Sequence, residues 1–251
     1  MYTAFAAVYD RLMQDVAYDS WAQHYAQLLA SAGVKSGAVC ECACGTGALT
    51  LRLKRAGYRM TGVDMSADML SVAQQKARDA GLDLHFVCQD MCRLSLHRPQ
   101  DAILCTCDGV NYLTTPARMR RFFKAAYDSL KPGGALIFDV STPEKLLGTL
   151  GNNCLGCQDE DVSYIWQNAY HPRTRTVDMR LSIFVREANG AYRRLEETQT
   201  QRAHTMEEIQ GSLTEAGFAE IRFYGKLLMR APREGDDRWH VRAIRPKEKR
   251  K

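Results

Sequence analysis

No uninterrupted apolar run in this 251-residue chain approaches the ~20 residues that a membrane-crossing helix requires, which excludes such a helix. The first residues, MYTAFAAVYDRLMQD, lack a basic start followed by an apolar stretch, and no secretory signal is expected. There is no internal repeat, and no low-complexity segment apart from a short basic end. Apolar residues, at 45%, are too frequent for disorder to be the dominant state. The length suits one large domain or a domain with a sizeable insert. A one-signed charge is also missing from the body. The net charge is +5, but in the last seven residues Arg245, Lys247, Lys249, Arg250 and Lys251 outnumber the one acid, Glu248, by four. A nucleic-acid binder usually spreads basic charge over a folded face. A solvated tail is therefore the simpler expectation for residues 246–251, with an RNA-steering tail as the alternative. Cysteine is not scarce. There are nine, an odd number, and without a secretory signal they point to a reducing, cytoplasmic setting rather than a disulfide framework.

What the chain does have is a rhythm. Phe5, Val8, Tyr9 and Leu12, then Trp21, Tyr25, Leu28 and Leu29, recur at helical spacing and predict one or two helices over residues 1–32. Strands are predicted at 38–42, 58–63, 84–88, 102–105 and 135–140, the last after the turn Lys131-Pro132-Gly133-Gly134. Helices at 49–56, 67–80 (with Ser66 as N-cap) and 117–130 alternate with them. This alternation indicates a parallel sheet covered on both faces. From about 161 to 204 the pattern becomes strand-like, with Asn189-Gly190 as a hairpin signal, and predicts an antiparallel insert. A helix at 206–216 and strands at 219–224 and 239–244 follow. The insert is expected to stand over the carboxyl ends of the strands, where open α/β sheets bind ligands.

The chemistry is carried by three strand ends. Val39-Cys40-Glu41-Cys42-Ala43-Cys44-Gly45-Thr46-Gly47 ends a buried strand in an acid and turns through two glycines into a helix. Gly45 and Gly47 allow backbone to approach a ligand, and the helix start offers free amides. A dinucleotide loop would have a third glycine and place pyrophosphate on the helix. Here the third glycine is absent, and Glu41 would oppose pyrophosphate but suit a cation such as an amino-acid ammonium. The second strand ends at Asp64, which can accept from both hydroxyls of a ribose. Beyond the third, Asp90 can accept from an exocyclic amine, and Met65 and Met91 offer soft faces to a flat base. An ammonium, a ribose diol and an adenine without phosphate are the parts of S-adenosylmethionine.

These residues resemble the class I S-adenosylmethionine-dependent methyltransferases, closest to small bacterial members with a β insert that are similar to sugar N,N-dimethyltransferases. The resemblance runs through Phe5-Ala6-Ala7-Val8-Tyr9-Asp10, Tyr18-Asp19-Ser20-Trp21, Ala43-Cys44-Gly45-Thr46-Gly47, Val63-Asp64-Met65-Ser66, Gln89-Asp90-Met91, Asn111-Tyr112-Leu113 and Leu130-Lys131-Pro132-Gly133-Gly134. It implies an α/β, Rossmann-like seven-stranded sheet, mostly parallel with the last strand antiparallel, plus the antiparallel β insert. Residues 1–150 would form a helical lid and the cofactor-binding part, 151–204 a substrate roof, and 205–245 the closing helix and last two strands. It also implies that Tyr9, Tyr18 and Trp21 belong to a lid near the methionine end of the donor. Glu41 departs from the family's shorter acid, and Cys40 and Cys42 from its leucines.

The remaining constellations are weaker. One Cys154-x-x-Cys157 pair without a second is half a zinc site, and no metal is expected. Cys107 lacks the preceding proline of cytosine-5 methyltransferases and is read as a wall of the cofactor pocket. The Asp/Asn-Pro-Pro-aromatic signature of adenine or glutamine methylation is absent. Asn111 and Tyr112 follow the fourth strand, where the methyl acceptor should lie, and are the catalytic candidates. Glu197, Gln199 and Gln201 share one strand face above the pocket and are the substrate-binding candidates. The expected activity is methyl transfer to nitrogen or oxygen of a small molecule by a monomer or homodimer. The alternatives are an RNA or tRNA methyltransferase and a donor-binding regulatory module without catalysis.

Overall fold

A computed structural model describes residues 3–247. Glu248–Lys251 of the expected basic tail lie outside the described residues. The chain opens with α1 (Thr3–Leu12) and α2 (Tyr18–Ser31), then runs β1 (Ala38–Cys42), α3 (Ala48–Arg55), β2 (Arg59–Asp64), α4 (Ala67–Asp79) and β3 (His85–Cys88). It continues with β4 (Gln100–Cys105), α5 (Pro116–Ser129) and β5 (Leu130–Ser141). The insert is β6 (Cys154–Cys157), β7 (Val162–His171), β8 (Thr176–Arg186) and β9 (Tyr192–Arg202). Helix α6 (Met206–Ala216) and strands β10 (Ala219–Gly225) and β11 (Arg238–Ile244) close the chain.

The main sheet has seven strands in the order β10-β11-β5-β4-β1-β2-β3, parallel except for β11, which is antiparallel to both neighbours. The strand order reverses between β1 and β4, so their carboxyl ends part and open a crevice. Strand centres are apolar because both faces are covered: Val39, Cys40, Cys42, Ile103, Leu104, Cys105, Ile137 and Phe138 are fully buried. The cysteines of β1 pack as small hydrophobes, and all nine in the chain are free thiols.

Local signals fix the ends. Ser66 accepts from the Met69 amide at 3.2 Å, as its N-cap position predicts. Thr205 and Glu208 form a reciprocal capping box at the start of α6, and Gly217 ends it at φ 102°.

Three features refine the sequence expectation. Lys131–Gly134 is not a turn before β5. It swells out within the strand, where pairing to β4 jumps from Gln100–Leu130 to Ala102–Ala135. Asn189-Gly190 lies in the loop of the hairpin it signals, β8 pairing with β9 up to Arg186–Tyr192, but the loop is longer than the two residues of a type I′ turn, which needs positive φ at both. Only Gly190 has it, at 82°, and its amide returns to the Glu187 carbonyl at 2.9 Å inside a longer loop. The insert also gains β6, a short edge strand of sequence CLGC, to give the antiparallel order β6-β7-β8-β9. Cys154 and Cys157 sit three apart on it, and alternation sends their side chains to opposite faces.

Candidate functional site

The cleft lies at the carboxyl ends of β1, β2, β3 and β4, with α1 and β9 above it. Of the residues singled out in the sequence, Tyr9, Tyr18, Glu41, Ala43, Gly45, Asp64, Met65, Asp90, Met91, Cys107, Tyr112 and Gln199 all line it. Trp21, Gly47, Asn111, Glu197 and Gln201 do not.

Glu41 is buried at the end of β1. The Thr106 hydroxyl donates to Oε1 at 2.6 Å and the Thr50 hydroxyl donates to Oε2. Burial pushes its carboxyl up to about 7, against the lowering effect of those two hydroxyls. The strand carrying it turns at Ala43, a non-glycine at φ 53°, into the glycine loop. A Cβ on Gly45 would meet nothing within 4 Å, so open space for a ligand lies against its backbone. A Cβ on Gly47 would instead meet Ala73 and Leu51 at 3.1 Å. Gly47 therefore serves helix packing, the task of the third glycine in a dinucleotide loop.

Asp64 holds this loop from the next strand. Its Oδ2 accepts from the Gly45 amide at 2.8 Å and its Oδ1 from the Ser66 amide at 2.9 Å. Burial raises its carboxyl, and these amides oppose the rise. Asp90 caps a short 3-10 turn by accepting from the Cys92 amide at 2.9 Å. The Arg118 guanidinium approaches its carboxylate at 3.3 Å, a contact without a sequence signal. Met65 is 68% exposed at the mouth. Three carboxylates thus stand at three successive strand ends, beside a bare glycine backbone. That set of acceptors fits an ammonium, a ribose diol and an adenine amine.

The wall beyond β4 depends on a network the sequence did not announce. Cys107 and Asp108 turn at φ 54° and 66°, an arrangement that costs about 1–2 kcal/mol per non-glycine residue. Both amides donate to Asp139, at 2.8 and 3.0 Å, and the Tyr25 hydroxyl donates to the same carboxylate at 2.8 Å. Arg238 bridges Asp139 and Asp108, with 2.6 Å to Asp108, and its guanidinium stacks 5.0 Å from the Trp21 ring. Burial pushes Asp108 up, but Arg238 and Lys145 outweigh it and hold the carboxyl at about 2. Burial raises Asp139 against the pull of Arg238. The acid within the apolar run Ala135-Leu136-Ile137-Phe138-Asp139-Val140 was the available signal for this network.

Trp21 is therefore a core residue behind the wall rather than a part of the cleft. Tyr18, one helical turn earlier, does reach the cleft, with the Arg52 guanidinium 5.4 Å over its ring. Asn111 is fully buried and works as a bracket. Its amide nitrogen donates to the carbonyls of Ser141 and Arg202, and its oxygen accepts from the Ser141 amide at 2.9 Å. It ties the turn after β4 to β5 and to the insert, which brings Tyr112 to Gln199, hydroxyl to Oε1, at 2.6 Å. Glu197 and Gln201 share the face of Gln199 but are buried between the insert and its neighbours. Among the described residues, no group of three or more His, Cys, Asp or Glu could hold a metal ion. No described helix is long and apolar enough to cross a membrane.

A family model described as a methyltransferase domain matches residues 39–134. The chain is 35% identical over 249 residues to the methyltransferase-family protein YqeM of Bacillus subtilis (strain 168), covering 98% of both. It superposes on a crystal structure of an S-adenosylmethionine-dependent methyltransferase from Clostridium acetobutylicum ATCC 824 with a TM-score of 0.88 and 31% identity, over 98% of this chain and 99% of that one. The fold is also that of CalS10, an amino pentose methyltransferase from Micromonospora echinaspora crystallised with S-adenosylmethionine, at a TM-score of 0.75, 23% identity and 98% coverage of each chain.

Proposed function

The chain belongs to the S-adenosylmethionine-dependent methyltransferases, and from that premise we propose that it methylates a small molecule held between the cleft and the β insert. The observation that carries this reading is the hydrogen bond from Tyr112 to Gln199, which joins the strand end beside the donor groups to the insert above. In this reading Asp64 holds the donor's ribose, Glu41 its ammonium, Asp90 its adenine amine, and Met65, Met91 and Cys107 its apolar surroundings. When bound, S-adenosylmethionine supplies an electrophilic methyl group on a sulfonium for in-line displacement. Residues 151–204 act as the roof that orients the acceptor and excludes water.

Nitrogen is favoured over oxygen as the nucleophile. Among the described residues no histidine lines the cleft, and its acids are Glu41, Asp64 and Asp90, all assigned to the donor. An alcohol would need a base there, whereas a neutral amine brings its own lone pair.

Glu41 must be ionised to hold an ammonium. With its carboxyl at about 7, donor affinity should rise severalfold from pH 6, because binding the cation releases the proton, and level off toward pH 8 as the donor's own amino group deprotonates. Glu41→Gln should abolish that rise. Calorimetric titrations of both proteins with S-adenosylmethionine across this range check it. A flat profile for the unaltered protein would contradict the role.

The acceptor class is tested by methyl transfer from labelled donor into a small-molecule metabolite extract and into total RNA. Tyr112→Phe or Gln199→Leu is expected to lower transfer into small molecules roughly tenfold, the value of one lost hydrogen bond. Removing residues 246–251 should leave it unchanged, since a charged end buries little. Label in RNA that falls when the tail is removed would reverse the assignment.

A further inference from the structure

We propose that Asp10 is a positioning residue that pins α1 to the glycine loop and to α4, and thereby sets how fast the donor leaves the cleft. The inference rests on the cleft being the donor site and is independent of what the acceptor is.

Helix α1 has two kinds of contact. Its apolar side is shared, because Phe5, Ala6 and Val8 pack with Met69 of α4, Val162 of β7 and Ile183 of β8. It thus bridges the cofactor-binding part and the insert. Phe5 and Tyr9 line the cleft, and their rings meet edge to face at 5.6 Å. Apolar packing of this kind is non-directional and does not fix the helix in register. Asp10 supplies a directional tie. Its Oδ1 accepts from the Thr46 hydroxyl at 2.6 Å, and its Oδ2 accepts from the Lys76 ammonium at 2.6 Å. Lys76 also reaches the Thr46 hydroxyl at 3.4 Å, which closes the three side chains into one cluster.

The position of Thr46 gives the tie its consequence. It is 1% exposed, lies between Gly45 and Gly47, and lines the cleft. Asp64 already holds Gly45 from β2, so two carboxylates from different elements fix adjacent loop residues. A donor seated on this loop is covered by Tyr9 and Phe5 as long as Asp10 stays on Thr46. The Asp10–Lys76 pair is itself about one-third exposed. Such pairs add little to global stability, so this one can open while the fold stays intact. The charge-assisted bonds favour the closed position, and opening exchanges them for water.

The test is the release rate of S-adenosylhomocysteine, followed by stopped-flow competition, with thermal unfolding as the control. Asp10→Ala is expected to release it about tenfold faster with little change in association, since a lost contact acts mainly on dissociation. Lys76→Met should do so by a smaller factor, and Asp10→Glu should restore most of the slow release. Trypsin should also cut after Arg11 faster in ligand-bound Asp10→Ala than in the ligand-bound unaltered protein. Unchanged release and unchanged cleavage in a folded Asp10→Ala protein would overturn the proposal. Should that variant fail to fold, Lys76→Met decides by the same two readouts. Absence of donor binding in the unaltered protein would instead overturn the assignment of the cleft.

Discussion

Replacing Asp64 with alanine is expected to weaken S-adenosylmethionine binding at least a hundredfold. Two charge-assisted hydrogen bonds to a ribose diol are worth about 2–3 kcal/mol together. The carboxylate also accepts from the Gly45 and Ser66 amides, so its loss leaves two part-buried donors unpaired and frees the glycine loop. Asp64→Asn separates the two effects. The carboxamide keeps one oxygen, which can accept from one loop amide and one ribose hydroxyl, and turns a donor NH2 toward the other amide, so an intermediate affinity is expected. Calorimetric titration measures this, and unchanged affinity for the alanine variant would remove Asp64 from the donor site.

The largest loss of stability is expected at Arg238. Its removal as Arg238→Met leaves the carboxylates of Asp139 and Asp108 without the guanidinium that bridges them. Breaking one partner out of a buried ion pair typically costs about 3–5 kcal/mol, most of it the uncompensated charge that remains. Arg238→Met combined with Asp139→Asn should recover part of the loss, because the amide keeps an oxygen for the Cys107 or Asp108 amide. The acid limb carries a second signature. Asp108 titrates at about 2 in the fold, below its ordinary carboxylate value, so the folded state binds fewer protons there than the unfolded chain. That contribution is present above pH ~4 and is lost as pH falls toward 2. Denaturant unfolding should show this dependence in the unaltered protein and a flatter one in Arg238→Met. Equal stabilities would mean that the network does not hold the Cys107–Asp108 turn.

The parts of the fold legible in the sequence are those set by local chemistry. β1 and α6 fall where apolar patterning places them, and Glu41, Asp64 and Asp90 arrive at the cleft because each lies at or just past the carboxyl end of a strand. What was not legible depends on contacts between distant segments. Asn111 stands next to Tyr112 in the chain and Trp21 one helical turn from Tyr18, yet one is a buried bracket and the other a platform for Arg238. Chain adjacency cannot say which of two neighbours points inward. Arg238 lies 99 residues from Asp139 and 130 from Asp108, so only the antiparallel pairing of β11 with β5 brings them together. The strand face of Glu197, Gln199 and Gln201 was correctly grouped by alternation. That Gln199 is the member bonded to Tyr112 depends on a contact between β9 and the turn after β4, which alternation within one strand does not specify.

A donor site made of three strand-end carboxylates, with the acceptor beside Tyr112 and Gln199, fixes how the spent donor must lie. A crystal structure with S-adenosylhomocysteine tests it most directly. The expected complex has the ribose hydroxyls on Asp64, the amino group on the Glu41 side of the glycine loop, the adenine beside Asp90, and the sulfur facing Tyr112. A ligand bound outside this cleft, or bound within it with its sulfur turned away from Tyr112, would contradict it.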